Sequence, residues 1–169
     1  MPMNLLSNFK IVLLLFIAAS VKAQKISIDI AAVRNQSLQL HGVNASVFYH
    51  FTEQFSAGTE LNRFFAAPKE KQGEVIYLSA WDFDINLHYY LPVSKRIILY
   101  PVLGISYSSE KEESKSSSEK NHRKYFNSGA GIIWNTKNIK PHLEYVLANS
   151  RKTEQLVLAG ITIEFDLGK

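Results

Sequence analysis

Residues Trp81–Leu91 read Trp-Asp-Phe-Asp-Ile-Asn-Leu-His-Tyr-Tyr-Leu, and the parity of this stretch decides the fold. Trp81, Phe83, Ile85, Leu87, Tyr89 and Leu91 share one parity, while Asp82, Asp84, Asn86, His88 and Tyr90 share the other. Successive side chains of an extended strand point to opposite faces, so the segment has one apolar and one polar face. A helix would scatter the apolar set, which does not recur at i+3 and i+4. The segment is read as a strand. Carboxylates and a histidine on one face, with aromatic residues at both ends of the other, predict a wall between water and lipid.

The same period of two recurs along the chain. Strands are predicted over Lys25–Val33, His41–Phe51, Phe55–Phe65, Glu74–Leu91, Ile97–Tyr107, Tyr125–Trp134, Ile139–Ala148 and Gln155–Leu167. No convincing helical pattern falls between them. Eight strands, an even number, close an antiparallel meander with both termini on one side. The connections alternate: long and charged after strands one, three, five and seven, short after two, four and six. Such asymmetry fits short inner turns and longer outer loops. The prediction is an all-β, closed, eight-stranded antiparallel up-and-down transmembrane β-barrel. The segments Ala66–Gly73 and Ser108–Lys124 are read as charged loops. The second has too few apolar residues to offset its ordering entropy, so it is expected to be mobile beyond the rim and to be the place for a surface partner.

Composition narrows the class further. Lys10 precedes the apolar run Ile11–Ala19, and Val21-Lys22-Ala23 places small residues at a cleavage position. This predicts a secretory signal peptide over residues 1–23 and a barrel domain over 24–169. The net charge of +4 includes Lys10 and Lys22, so the mature chain is closer to neutral, and no basic patch with interleaved aromatics points to nucleic acid. The absence of cysteine excludes a disulfide scaffold and a lipid-anchored lipoprotein. Asn35-Gln36-Ser37 and Asn44-Ala45-Ser46 match a glycosylation sequon, which short chains produce by chance.

The Ala23-Gln24 end of the leader, Tyr100-Pro101-Val102-Leu103-Gly104, Gly129-Ala130-Gly131 and Gly160-Ile161-Thr162-Ile163-Glu164-Phe165 resemble the small outer-membrane β-barrel family, of which OmpX and the barrel of OmpA are familiar members. The resemblance covers the whole mature chain. It is one of pattern, and the closing phenylalanine of such proteins is displaced here by Asp166-Leu167-Gly168-Lys169. It implies a monomer in the bacterial outer membrane with lipid and lipopolysaccharide as surroundings. It also implies a structural or surface-interaction role, with the region 108–124 as the candidate surface contact.

Within that frame each parity has a role. Tyr49, Phe55, Phe65, Trp81, Tyr89, Tyr107, Phe126, Trp134 and Phe165 are expected to form two aromatic girdles around the apolar band. Asp29, His50, Glu60, Asp82, Asp84, His88, His142, Glu144 and Glu164 are expected to face inward as a polar cluster, with some carboxylates holding raised pKa values or hydrogen-bonded to histidine and tyrosine. An eight-stranded barrel is just wide enough for side chains to fill, so a plugged lumen is expected rather than a pore. Pro101 and Pro141 each remove a ladder donor and predict a bulge or a missing bond. The chain has no nucleophile elbow, zinc-binding His pair or phosphate-binding glycine loop, which argues against an enzyme, a cofactor or a metal site. Two alternatives share the periodicity. One is a secreted lipocalin-like barrel with the apolar face turned in around a hydrophobic ligand. The other is a lipid A-modifying barrel, whose histidines near the outer rim would be His41 and His122.

Overall fold

The computed structural model describes residues 25–71, 73–114, 117–137 and 139–167; the leader predicted over 1–23 lies outside the described residues. The strands are β1 (Lys25–Asn35), β2 (Leu40–His50), β3 (Phe55–Lys71), β4 (Glu74–Tyr89), β5 (Ile97–Glu113), β6 (Ser118–Trp134), β7 (Lys140–Asn149) and β8 (Glu154–Asp166). Leu91–Pro92 continues β4 past Tyr90: Leu91 faces Leu99 in the same register that sets His88 opposite Val102. Every strand pairs antiparallel with the next, and β8 pairs back onto β1. Among the described residues there is no helix. The architecture is a closed eight-stranded up-and-down barrel, as the alternation predicts.

The ladder fixes the geometry of that closure. Crossing from Lys25, partner by partner, leads through His50, Ser56, His88, Val102, Gly129, Val146 and Leu156 and re-enters β1 at Asn35. The circuit has climbed from residue 25 to residue 35, a shear of ten residues. Side chains alternate with period two, so an odd shear would join inner face to outer face and closure would fail. With about 3.4 Å per residue and about 4.8 Å between strands, a shear of ten over eight strands tilts them by about 40°.

Burial follows parity, and it is inverted relative to a soluble protein. Ile30 is 63% exposed and Ile105 59%, while Glu60 is 6% and Asp84 3%. A lipocalin-like arrangement would have the opposite order, so the apolar-inside alternative does not describe this barrel. Apolar residues do reach the interior, but in two small clusters. Val33, Leu40, Phe64 and Leu156 belong to one, and Tyr90, Tyr100, Val102 and Ile133 form the other.

The prolines sit where a ladder is already interrupted. Pro101 stands opposite the lapse in β4, between the His88–Val102 and Leu91–Leu99 pairs. Pro141 comes one step past Ile133–His142, the last pair joining β6 to β7. Neither has a bulge; register runs unbroken through Pro101–Ala130 and Pro141–Ile161. A missing bond, not an added residue, accommodates each proline. The bulge lies elsewhere: Phe65 and Ala66 of β3 together oppose Ser79 between the Phe64–Ala80 and Ala67–Leu78 pairs.

Most of the described residues of two predicted loops are strand. Beyond the bulge, β3 continues to Lys71 and pairs with β4 as far as Glu74. In Ser108–Lys124, β5 and β6 stay in register from Ser108–Arg123 to Glu113–Ser118. Composition misleads here because strand formation in this segment depends on neighbours outside it. Residues Ser108–Glu113 are also templated by β4, from Asp82 to Tyr77, so they have a partner on each side. Directly opposed like charges, Lys111 with Lys120 and Glu112 with Glu119, are relieved sideways. Lys71 binds Glu112 at 2.5 Å, and Lys111 pairs with Glu113. The β2–β3 and β6–β7 ladders stop at Gly42–Phe64 and Phe126–Asn149. Strands β3 to β6 therefore rise as a four-stranded wall above one side of the mouth.

Hydrogen exchange distinguishes this wall from a loop. Amides of Ser109–Glu113, between two neighbours, are expected to exchange about tenfold more slowly than those on the open edge of β6 over residues 119–124. Uniformly fast exchange across residues 108–124 would mean that the wall does not persist in solution.

Candidate functional site

The inward parity builds the lumen. Asp29, His50, Glu60, Asp82, Asp84, His88, His142 and Glu144 are all buried there, and Glu164 is half-buried at the lower end. These residues do not form one cluster: most join two successive networks along the barrel, Asp82 bonds Ser108 above them, and a third network at the mouth is built from residues outside the set.

The middle network is made of asparagine amides and carboxylates. Asn86 Nδ2 donates to Glu60 Oε1 at 2.6 Å, and Asn44 Nδ2 reaches Glu60 Oε2 at 3.2 Å and Asn62 Oδ1 at 2.9 Å. Asn62 donates to Asp84 at 2.8 Å, Asn127 to Asn86 at 3.2 Å, and Ser106 donates to Asp84. Ser46 donates to Asp29 at 2.9 Å. The carboxylates of this network use amide and hydroxyl donors, while Glu144 below it accepts a hydrogen bond from Tyr100 and lies 4.0 Å from His88. A search for charged groups passes over Asn44, Asn62, Asn86 and Asn127, although all four lie on the polar parity of their strands. An amide supplies two donors and an acceptor without adding charge, which suits a barrel crowded with carboxylates.

The lower network holds the histidines. His50 Nε2 lies 3.0 Å from Ser27 Oγ, and His142 Nδ1 3.2 Å from Thr162 Oγ1. His88 packs between Phe48 and Tyr100, with ring centroids 4.2 and 4.9 Å away, and its Nε2 is 4.0 Å from Glu144. Each histidine has its own neighbour, and among the described residues no group of His, Asp and Glu converges as a metal site would require. Lys140–Glu164 at 2.6 Å and Lys25–Asp166 at 3.7 Å close the rim below.

The upper network spans the mouth. Glu154 accepts from Asn35 Nδ2 at 2.6 Å and from the Tyr125 hydroxyl, and Arg123 Nη1 stands 3.5 Å from it. Arg123 also lies 3.0 Å from Glu110 Oε1, a charge contact without hydrogen-bond alignment. Arg123 and Glu154, absent from the expected polar cluster, tie the raised β6 to β8.

Large rings fit because glycines face them. A Cβ on Gly131 would overlap the Tyr100 ring, and one on Gly58 would overlap Phe48. The space left between Asp29, Glu60, His88 and Glu144 is about 20 Å³, room for about one water.

Outside, the aromatic residues fall into two sets at different heights. Tyr49, Phe55, Tyr89, Trp134 and Phe165 lie toward the chain termini, and Phe55 and Tyr89 meet with centroids 4.6 Å apart. Phe65, Trp81, Tyr107 and Phe126 lie toward the raised wall, one on each of β3, β4, β5 and β6, with Trp81 and Tyr107 5.7 Å apart. At the tilt given above, the sets are separated by about 20 Å along the axis. The upper set is an arc along four strands rather than a ring; on β1 and β2 the corresponding outward pair is Arg34 and His41. His122 stacks on Tyr107 at 5.6 Å on the outer surface.

No family model matches this chain, and no curated protein matches its sequence. Its fold does have solved counterparts. Ail, the attachment invasion locus protein of Yersinia pestis, superposes with a TM-score of 0.61 at 17% identity, over 85% of this chain and 99% of that one. The N-terminal β-barrel domain of Pseudomonas aeruginosa OprF gives 0.61 at 16% identity, over 85% and 98%. A major outer membrane protein from Thermus thermophilus gives 0.66 at 8% identity, over 85% and 100%. The chain has the fold of small bacterial outer-membrane barrels, and the resemblance in sequence pattern is matched in three dimensions.

The packing of the lumen is testable. Gly131→Val should destabilise the folded barrel by about 1–3 kcal/mol through overlap with Tyr100, as judged by urea unfolding in detergent micelles. Combining it with Tyr100→Ala should recover part of that loss. A Gly131→Val barrel as stable as the parent would mean that the interior has slack.

Proposed function

We propose that this chain is an integral barrel of the bacterial outer membrane, delivered by a leader over residues 1–23, with a structural or surface-interaction role and a closed lumen. The observation that carries the proposal is the inverted burial on a sealed ladder. The outward side chains of all eight strands form an apolar band, edged below by aromatics and above by an aromatic arc on β3 to β6, and carboxylates and amides are enclosed within. Water would strip such a band of its favourable surroundings, whereas hydrocarbon matches it. The likeness to three outer-membrane folds supports the same placement.

The filled interior supports a plug. The amide–carboxylate network and the buried rings of Phe48, Tyr90 and Tyr100 occupy the interior, and the space left among Asp29, Glu60, His88 and Glu144 is about 20 Å³. A non-enzymatic role is favoured because the rim histidines lack a catalytic arrangement: His122 packs on Tyr107, and His41 is exposed on the outer face of β2. The wall of β3 to β6, including residues 108–113 and 118–124, is the surface offered to partners outside the cell.

Three measurements examine the reading. The folded protein should sediment with the envelope and shift its gel mobility on boiling. Ile85→Arg or Ile161→Arg, near the middle of the band, should cost about 2–4 kcal/mol and impair insertion. Purified protein in planar bilayers should give no steady porin-like current. Reproducible large openings would favour transport, and a soluble, non-shifting protein would remove the membrane placement.

A further inference from the structure

Where β6 leaves the complete wall, two hollows of opposite character meet. The β6–β7 ladder ends at Phe126–Asn149, and β6 continues upward with one edge open. Between this edge and the turn after β7 is a cleft of about 410 Å³ lined by His122, Arg123, Lys124, Tyr125, Arg151 and Lys152. Arg123 is already engaged by Glu110 and Glu154. The side chains of Lys124, Arg151 and Lys152 have no hydrogen-bond or ion-pair partner among the described residues. Elsewhere Lys25, Lys71, Lys111 and Lys140 each have a carboxylate. Three unpaired cations around one hollow repel one another until an anion enters.

Below lies a groove of about 290 Å³ in the outward wall, lined by Phe83, Ile85, Ile105 and Tyr107 and headed by Lys124 and Tyr125. Lys124 and Tyr125 line both hollows, so the groove and the cationic cleft meet at these two residues. Lys124 stands two residues above Phe126 of the upper aromatic set, on the same face of β6. In a membrane that level is the boundary between hydrocarbon and head groups. A small soluble anion could use the cleft but not the groove beneath it. The combined site suits an amphiphile.

Taking the membrane placement above as its premise, we propose that this joint binds an anionic, phosphate-bearing lipid of the outer leaflet. An acyl chain lies along Phe83, Ile85 and Ile105, and the phosphate sits among Lys124, Arg151 and Lys152. No covalent step is involved. The selectivity is Coulombic, and the groove confines it to one part of the wall.

The chain has two tryptophans, so Trp134→Phe leaves Trp81, which packs on Tyr107 at the groove, as the reporter. This protein would be reconstituted in phosphatidylcholine vesicles containing a minor fraction of brominated phosphatidic acid or, in parallel, brominated phosphatidylcholine. At equal bromine content phosphatidic acid should quench Trp81 as though bound about fivefold more tightly. Lys124→Ala with Arg151→Ala and Lys152→Ala should abolish the preference, and the turn pair Arg151→Ala, Lys152→Ala should reduce it. Arg34→Ala, on the opposite wall, should leave it intact. Equal quenching by the two lipids, or equal loss in Arg34→Ala, would overturn the site. The heat-induced gel shift is read on every sample: a parent protein without it overturns the membrane placement, whereas a shifted parent without lipid preference overturns only the lipid site.

Discussion

Everything in this molecule depends on sealing the backbone. In hydrocarbon no water is present to satisfy an exposed N–H or C=O, so each strand needs a neighbour on both sides and the sheet must meet itself. The β1–β8 ladder performs that closure over eleven consecutive residue pairs, from Lys25–Asp166 to Asn35–Leu156. Pro101 and Pro141 obey the same constraint, since each is placed where a ladder lapses or ends. Closure also sets the interior, because eight strands at this shear enclose a space that rings and amides can fill. The polar lumen is thus a consequence of the wall, and its carboxylates need the asparagine donors that line it.

Much of this was legible in the sequence, because one signal carried it. Alternation in Trp81–Leu91 identifies the strand, its two faces and, repeated eight times, the barrel. The same parity places Asp29, Glu60, Asp84, His88 and Glu144 on one face and Ile30, Leu61, Ile85 and Ile105 on the other. Which face meets water cannot be taken from period two alone. The position of aromatics at the ends of the apolar face breaks that symmetry, and burial in the folded chain agrees with the outward reading.

The features that escaped were those fixed by neighbours in space. Ser108–Lys124 looks like a solvated linker when its charges are counted along the chain. In the sheet those charges find partners across it, as Lys71 does with Glu112, and β4 supplies a template that sequence distance conceals. Asn44, Asn62, Asn86 and Asn127 were in view but carried no charge to draw notice. The partial arc of upper aromatics was also invisible, because height on a tilted barrel depends on the register of every preceding strand.

The even shear has a bearing on how such a chain can vary over generations. A single inserted residue within the band would turn the rest of its strand inside out, exchanging isoleucine for glutamate against lipid. Gains and losses there have to come in pairs. Above the band the rule relaxes. The extra residue at Phe65–Ala66 reverses the parity of β3, turning Ala67 and Lys69 to the more sheltered side and Pro68 outward, in a region where both faces are wet. At the height of the bulge a chain of this fold can lengthen by a single residue without turning an apolar strand face inward, while the ring beneath it keeps its count.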